Sequence, residues 1–380
     1  LSLRRICQVN LSAALGGAEI YTRFFTQALL DLGCETELFV LEGATYWDTF
    51  DFGKARVTPV RDAGEIAALL PPGRQWLVIH GPVPSHDLEE LRKVHRLAGI
   101  AHQALYDHRR PGYYDLSDLL IPVSQHVIAT LERAGLDRIY REPLLGVADL
   151  SPRAGEGGPI IDRPMYDWDR NKPRDRIFSV LYPAWRAITR RRIFSRRPGL
   201  VLGVVSRIAP LKQFATQFAL LAPVIAEFPQ VSLEIFGSGV GYRPVRDLRR
   251  ALSPIAGRAR FWGEQGDVAA IYPQLDYLLT GLPEREALGL NVLEAQACGT
   301  PVLAVRAPPF TETVVEGETG FFYTDPRTDA GADFRALLRR LVAATGHPDP
   351  RKASAHLERF SMPAFTARVG RLVDRLARAT

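Results

Sequence analysis

The chain has 380 residues, 46% hydrophobic and 24% charged, the profile of a soluble globular protein long enough for two domains. Its 48 basic and 42 acidic residues leave a net charge of +6; much of the excess lies between Arg186 and Arg197, so it forms a local patch and not a nucleic-acid-binding composition. Cys7, Cys34 and Cys298 are far apart with no C-x-x-C pair, which excludes a disulfide framework or zinc site and favours a reducing, cytoplasmic compartment. No run approaches the ~18 apolar residues of a spanning helix. The opening Leu1 to Asn10 is too short and polar for a signal peptide.

Ile6 to Asn10 reads as a buried strand, followed by a loop holding Gly16 and Gly17. Ile20, Phe24, Phe25, Ala28, Leu29 and Leu32 then mark an amphipathic helix, and Glu35 to Leu41 a second strand. A glycine pair at a strand-to-helix turn lets backbone N–H groups approach an anion where the helix dipole favours it. The full dinucleotide fingerprint G-x-G-x-x-G is absent, so a structural turn competes with this reading. Trp76 to His80, Gly99 to Asp107 and Leu119 to Val123 read as further strands, Leu88 to Leu97 and Gln125 to Ala134 as helices, and Leu144 to Val147 as the strand that closes the set. Short apolar strands alternating with helices mean a parallel, doubly wound sheet, whose ligands bind outside the C-terminal strand ends. His80 and His108 fall at or beyond such ends, where a single histidine is often structural.

Residues 151–198 break the alternation. Asp162 to Arg176 carries dense charge of both signs, and aromatic residues interleave with arginines from Ile177 to Arg197. Such a segment suits an anionic membrane surface or a solvated connection between domains.

A second series begins with strand Leu200 to Val205. Helix Phe214 to Glu227, strand Val231 to Phe236 with Gly237-Ser238-Gly239, a helix over Arg246 to Leu252, strand Ala259 to Trp262 and strand Asp276 to Thr280 follow. Arg207 and Lys212 sit in the loop after its first strand. A guanidinium fork and a point charge suit a diphosphate, although two solvated loop cations are the plainer alternative. Glu286 and Glu294, with seven residues between them, flank the start of a helix rich in apolar residues. Eight steps of a 3.6-residue helix return to nearly one face, so the pair is either a polar binding edge or an exposed acid pair. Strands at Val302 to Val305 and Gly320 to Tyr323, and helices at Asp333 to Ala344 and Pro363 to Ala379, complete the chain.

In combination these motifs resemble the retaining glycosyltransferases of family four, also called glycosyltransferase group 1. The resemblance rests on Arg207 with Lys212, Gly237-Ser238-Gly239, and Glu286 with Glu294 followed by Ala295-Gln-Ala-Cys-Gly-Thr-Pro-Val302. Gly16-Gly17-Ala18-Glu19, Asp118-Leu-Leu-Ile-Pro-Val-Ser124, Gly146-Val147-Ala148-Asp149 and Glu316-Gly-Glu-Thr-Gly320 add to it.

The resemblance implies the GT-B fold: α/β, two Rossmann-like doubly wound parallel-sheet domains facing a central cleft. Residues 1–160 would be the acceptor-side domain, 161–198 a basic and aromatic linker, 199–360 the donor domain, and 361–380 a terminal helix packing back on the first domain. It implies sugar transfer with retention from a nucleoside-diphosphate sugar, UDP foremost, to a sugar or glycolipid hydroxyl in cell-surface polysaccharide, lipopolysaccharide or glycolipid synthesis. Glu294 would bind the ribose, Glu286 the donor sugar, and Arg207 and Lys212 the leaving diphosphate. Amides near Gly16 and Gly17 and along Leu288, Gly289, Leu290 and Asn291, with Gly237, would complete the donor site. His108 is the first choice for an N-terminal histidine on the sugar and His80 the second. No metal is expected, nor any nucleic acid, and the enzyme would work in the cytoplasm or at the cytoplasmic membrane face through Arg186 to Arg197. Leu288 stands where the family has an aromatic residue, and Pro308-Pro309-Phe310 replaces its usual small residues. A nucleotide-sugar epimerase, a phosphorylase of similar fold, or a non-enzymatic binder of anionic surfaces are the competing readings.

Overall fold

In the computed structural model the described residues are 5–13, 15–70, 73–107, 110–148, 150, 158–165, 176–177, 179–182 and 192–379. They form two compact units. The first comprises Leu1–Asp149, Glu284–Leu290 and Ala355–Thr380; the second comprises Leu150–Pro283 and Asn291–Ser354.

In chain order, the first part runs β1 (Arg5–Asn10), α1 (Gly17–Asp31), β2 (Glu35–Leu41), β3 (Arg56–Val60), α2 (Ala63–Leu69), β4 (Trp76–Ile79), α3 (Ser85–Val94), β5 (Arg96–Ala101), α4 (Gly112–Leu116), β6 (Leu119–Pro122) and α5 (Gln125–Arg133). Next come β7 (Leu200–Val205), α6 (Phe214–Ala226), β8 (Val231–Phe236), α7 (Tyr242–Ala251), β9 (Ala259–Gly263), β10 (Tyr277–Leu279), α8 (Leu290–Ala297), β11 (Val302–Val305), α9 (Phe310–Thr313), β12 (Gly320–Tyr323), α10 (Ala332–Ala343) and α11 (Met362–Arg378).

The first unit's sheet has the order β3-β2-β1-β4-β5-β6, with parallel pairing throughout. Its central strands are apolar on both faces, because helices cover both sides; Ile6, Val9, Leu38, Leu77, Val78 and Ile100 are fully buried. The apolar stripe of α11 (Phe365, Val369, Leu372 and Leu376, all buried) packs in this unit. Phe365 meets Tyr21 of α1 edge-on at 5.4 Å. The Trp76 indole donates to the Leu376 carbonyl at 3.1 Å, and Arg371 forks onto Glu142.

The second unit repeats the plan, with the order β12-β11-β10-β7-β8-β9. Read from the other side, this is the order of the first sheet. In each, the chain winds one way from the first strand and the other way from the fourth. The switch points lie between β1 and β4, and between β7 and β10. Fully buried Phe218, Leu233, Ile235, Leu279, Leu303 and Phe334 belong to one face of the second core, and Trp262, Tyr272, Val292, Ala295, Val302 and Phe310 to the other. Each large apolar side chain withdrawn from water contributes about 1.5–3 kcal/mol.

Residues 158–165 and 192–198 pack on this second core. Ile161 bridges Ile193 in antiparallel fashion, the Arg163 amide donates to the Trp262 carbonyl at 2.9 Å, and Phe194 meets Trp262 edge-on. Three arginines of the basic stretch are engaged here. Arg196 grips Asp276 at 2.7 Å, Arg192 lies 5.4 Å from the Trp262 ring centre, and Arg197 donates to the Gly257 carbonyl. Arg186, Arg190 and Arg191 lie outside the described residues.

The run Leu144–Val147 is not a strand. It is buried because it is packed: the Leu144 amide donates to the Pro122 carbonyl, Leu144 O accepts from the Tyr21 hydroxyl at 2.8 Å, and Gly146 faces Leu288 and Leu290.

Candidate active site

The carboxyl edge of the second sheet carries Arg207, Lys212 and Gly237, with Asn291 tied to it from the helix that follows. Arg207 leaves the end of β7, and Lys212 closes the 3-10 turn Pro210–Lys212 that leads into α6. Gln213 holds the turn in a left-handed conformation, φ 54°. Both cations are half-buried. The exit of β8 runs close beside them. Gly237 has φ +132°, and a Cβ there would lie 2.0 Å from the Ser206 carbonyl oxygen; only glycine permits the two strand exits to approach this closely. Past the sheet they stay paired, with the Ile208 amide donating to the Ser238 carbonyl at 2.8 Å. The exit of β10 is equally tight, since a Cβ on Gly281 would meet the Lys212 carbonyl at 2.6 Å.

Helix α8 is tied to the same edge. The Asn291 side-chain amide donates to Val205 O, the last carbonyl of β7, at 3.0 Å. Val292 and Ala295 face the core, with Phe310 of α9 in the same cluster. The proline pair at 308–309 thus leads into a core anchor. One turn on, Glu294 is half-buried and its Oε2 accepts from the Tyr272 hydroxyl at 2.7 Å. Tyr272 is fully buried. Burial first, and the Glu294 charge second, raise its phenol well above the usual range, so it remains a donor. Burial, then the Glu294 and Asp267 charges, push the Cys298 thiol up to about 11, which leaves it an unreactive packing residue.

Glu286 lies in the loop before α8, whose helical residues begin at Leu290. The loop Glu284–Leu290 is grouped with the first unit. There the Ser124 hydroxyl, at the N-terminus of α5, donates to the Ala287 carbonyl, and its oxygen also accepts from the Val127 amide at 3.1 Å. Arg285 pairs with Asp107 at 2.9 Å and lies 4.7 Å from the Tyr106 ring centre. Leu288 is buried, a Cβ on Gly17 or Gly146 would meet the Leu290 side chain at 3.7 or 2.6 Å, and Gly289 has φ +82°. Burial, then Arg133, lower the His126 imidazole, while Glu286 acts in the opposite sense. Glu286 and Glu294 are therefore not two residues of one helix face: the first is fixed by a loop, the second by a helix.

In the first unit, Gly16 is the extended residue before α1, with φ −160°, and Gly17 opens the helix. The buried Glu19 carboxyl lies 3.5 Å from the Asn10 side-chain amide, and burial pushes its proton affinity up. Asn10 also accepts from the Ser12 amide, so the β1 exit is held by its own polar side chains. His80 is placed differently from a residue at an open strand end. It is 1% exposed, its Nε2 lies 3.0 Å from Gln8 Oε1, and it stacks with His102. Burial, then His102, lower its proton affinity well below normal. Its period in the sequence showed a strand end but not which way the ring turns. His108 lies outside the described residues. Among the described residues, no group of three or more His, Cys, Asp or Glu side chains is placed to hold a metal ion.

The fold matches solved glycosyltransferases over nearly the whole chain. Anabaena Alr3699/HepE, crystallised with UDP and glucose, has a TM-score of 0.65 at 17% identity, covering 98% of this chain and 100% of that one. Sucrose-phosphate synthase (tll1590) from Thermosynechococcus elongatus gives 0.70 at 16% identity, covering 99% and 100%. These likenesses define the class, the two-domain α/β GT-B fold.

The family follows from sequence: residues 187–340 match the model of the Glycosyl transferases group 1, so this segment is of that family, as its arginine, lysine and paired glutamates indicated. D-inositol 3-phosphate glycosyltransferase of Rhodococcus jostii (strain RHA1) is 33% identical over 191 residues, 47% of this chain and 41% of its own length. N-acetyl-alpha-D-glucosaminyl L-malate synthase of Bacillus anthracis is 30% identical over 129 residues, 34% of this chain and 33% of its own. The chain thus spans well under half the length of these relatives.

Proposed function

We propose that the protein is a retaining glycosyltransferase that moves a sugar from a nucleoside-diphosphate sugar, UDP in the first place, to an acceptor hydroxyl. The observation that carries this reading is that Arg207, Lys212 and Gly237 follow the carboxyl ends of β7 and β8 beside the second sheet's switch point, with Asn291 bonded to the last carbonyl of β7 and Glu294 one turn further along α8. Open α/β sheets bind ligands at such points. The family match over residues 187–340 and the UDP-bound neighbours of the same fold support it.

In this reading Glu294, aimed by Tyr272, takes the ribose hydroxyls, and Glu286 takes hydroxyls of the transferred sugar. Arg207 and Lys212 stabilise the charge that grows on the diphosphate as the anomeric carbon–oxygen bond breaks, aided by amides at Gly16, Gly17 and from Leu288 to Asn291. Fixed charges in a partly dry site do this without reorganising, which is why we assign the reaction no metal. The acceptor oxygen bonds the anomeric carbon on the face the diphosphate leaves, and its proton passes to the departing phosphate oxygen. His108 is the histidine we assign to the sugar; His80, closed in the core, is dropped from that role.

For the acceptor we favour a growing surface polysaccharide, lipopolysaccharide or glycolipid, reached through the arginines between 186 and 197. The relatives named for D-inositol 3-phosphate and L-malate motivate a second acceptor class, small hydroxylated anions.

A thermal-shift series with UDP, GDP, ADP and their sugars tests the donor. A ligand at one hundred times its Kd adds about 2.7 kcal/mol. UDP release that requires acceptor, with the anomeric configuration of the product read by NMR, tests transfer and retention. A flat response to every nucleotide sinks the proposal. Flotation with phosphatidylglycerol vesicles, before and after Arg190, Arg191 and Arg192 are changed to alanine, tests the membrane contact; equal binding refutes it.

A further inference from the structure

The first unit has a second, unassigned feature at the opposite edge of its sheet from Gly16 and Gly17. An open cavity of about 330 Å³ lies at the amino ends of β4, β5 and β6, bordered by the last turns of α11. Arg74, Arg96 and Arg375 line it, together with Trp76, Asp118 and Leu376. Among the described residues no carboxylate pairs with any of the three arginines. The one acid in the lining is already committed: Asp118 accepts from the Leu97 amide at 3.0 Å and from Arg92 at 3.3 Å. The Arg96 guanidinium carbon lies 5.6 Å from the Trp76 ring centre, and the Trp76 indole donates to the Leu376 carbonyl.

The charge sum is lopsided. Three guanidinium groups face the cavity, Arg92 offsets Asp118, and the carboxyl end of α11 contributes roughly −0.5. Among the described residues the lining thus carries an excess of positive charge, partly screened by water because Arg74 and Arg375 are exposed, and a bound anion would complement it. Guanidinium forks match phosphate oxygens two at a time, and the volume fits a small ligand. We propose that this cavity binds a phosphate-class anion, either a free phosphorylated molecule or the headgroup of an anionic lipid. It is separate from the donor site and does not depend on that assignment.

The test uses the full chain carrying Arg207→Ala and Lys212→Ala, so that the second unit's cation pair does not bind the probe. Inorganic pyrophosphate is titrated calorimetrically into this protein and into the same protein with Arg74→Gln and Arg375→Gln added. Arg96→Gln serves as an independent second variant. Saturable binding that weakens by at least about tenfold with the arginines removed, at unchanged Tm, supports a soluble phosphate ligand. Flotation with phosphatidylglycerol against phosphatidylcholine vesicles forms the second arm; anionic-selective binding lost in the Arg74→Gln, Arg375→Gln chain supports a lipid headgroup. If the arginines only brace the end of α11, their removal lowers Tm with no change in either probe. That result, or binding of neither probe by the parent, overturns the proposal.

Discussion

Tyr272→Phe is the sharpest test of how Glu294 is held. The phenol oxygen donates to Glu294 Oε2 at 2.7 Å from a fully buried ring. Phenylalanine keeps the ring's packing and removes only the donor. A hydrogen bond to a charged group contributes about 1.5–3 kcal/mol. Glu294 is half-buried, so water replaces part of the bond, and the lower end applies: about 1.5 kcal/mol, or a fall in Tm of about 3–6 °C for a domain of this size. If Tyr272 orients Glu294 toward a ribose, UDP should bind about tenfold more weakly to the variant. 2′,3′-Dideoxy-UDP lacks the hydroxyls in question and should bind both proteins alike. Because burial and the Glu294 charge keep the phenol protonated, the difference should not change between pH 6 and pH 9. Calorimetric titration of both nucleotides measures it. UDP affinities within twofold of each other would refute the orienting role, whatever happened to Tm.

Glu294→Ala and Lys212→Ala should each lower kcat/KM by at least about a hundredfold, the range for lost charge-stabilising contacts, with circular dichroism unchanged; normal turnover in either would remove that residue from the site. Gly237→Ala places a methyl 2.0 Å from the Ser206 oxygen at φ +132°, so it should lose about 3 kcal/mol or more by denaturant titration, and a loss under 1 kcal/mol would contradict the close approach. His80 is buried with its proton affinity lowered. Its stabilising contribution is present above the unfolded-state value near 6.5 and is lost as pH falls through that value toward the lower folded one. Between pH 7 and pH 5 it accounts for about 2 kcal/mol of lost stability. Replacing it with asparagine should flatten that part of the pH profile, and an unchanged slope would show that the ring already protonates in the folded state.

Both sheets were legible because their central strands are buried on both faces and read as short continuous apolar runs. The edge was not. β3 carries Arg56, Thr58 and Pro59 in its five residues and only Val60 is buried, so neither alternation nor an apolar run marks it or the short α2 that follows. Leu144–Val147 shows the converse: the hydrophobic pattern reports burial, and burial by packing on Tyr21 and Leu288 looks the same in sequence as burial in a sheet. Period also leaves direction undetermined. His80 follows β4 as a site residue would, yet its ring turns inward to Gln8, a partner from β1 that only the sheet order brings near.

Glu294 illustrates why the site needed more than spacing. Its neighbours Val292, Leu293 and Ala295 are buried, an unfavourable setting for a carboxylate unless a donor meets it. That donor is Tyr272, 22 positions upstream in a segment with no motif of its own, and nothing in the local sequence marks it. Glu286, by contrast, owes its position to Ser124 and Arg285, whose partners Ala287 and Asp107 come from one loop and a distant one. The two glutamates thus have separate structural supports. A change at Tyr272 should weaken ribose recognition without touching Glu286, and a change at Ser124 should displace Glu286 without touching Glu294. If Glu294 reads the nucleoside and Glu286 the sugar, as proposed, these independent braces let sugar preference change while the nucleotide is kept.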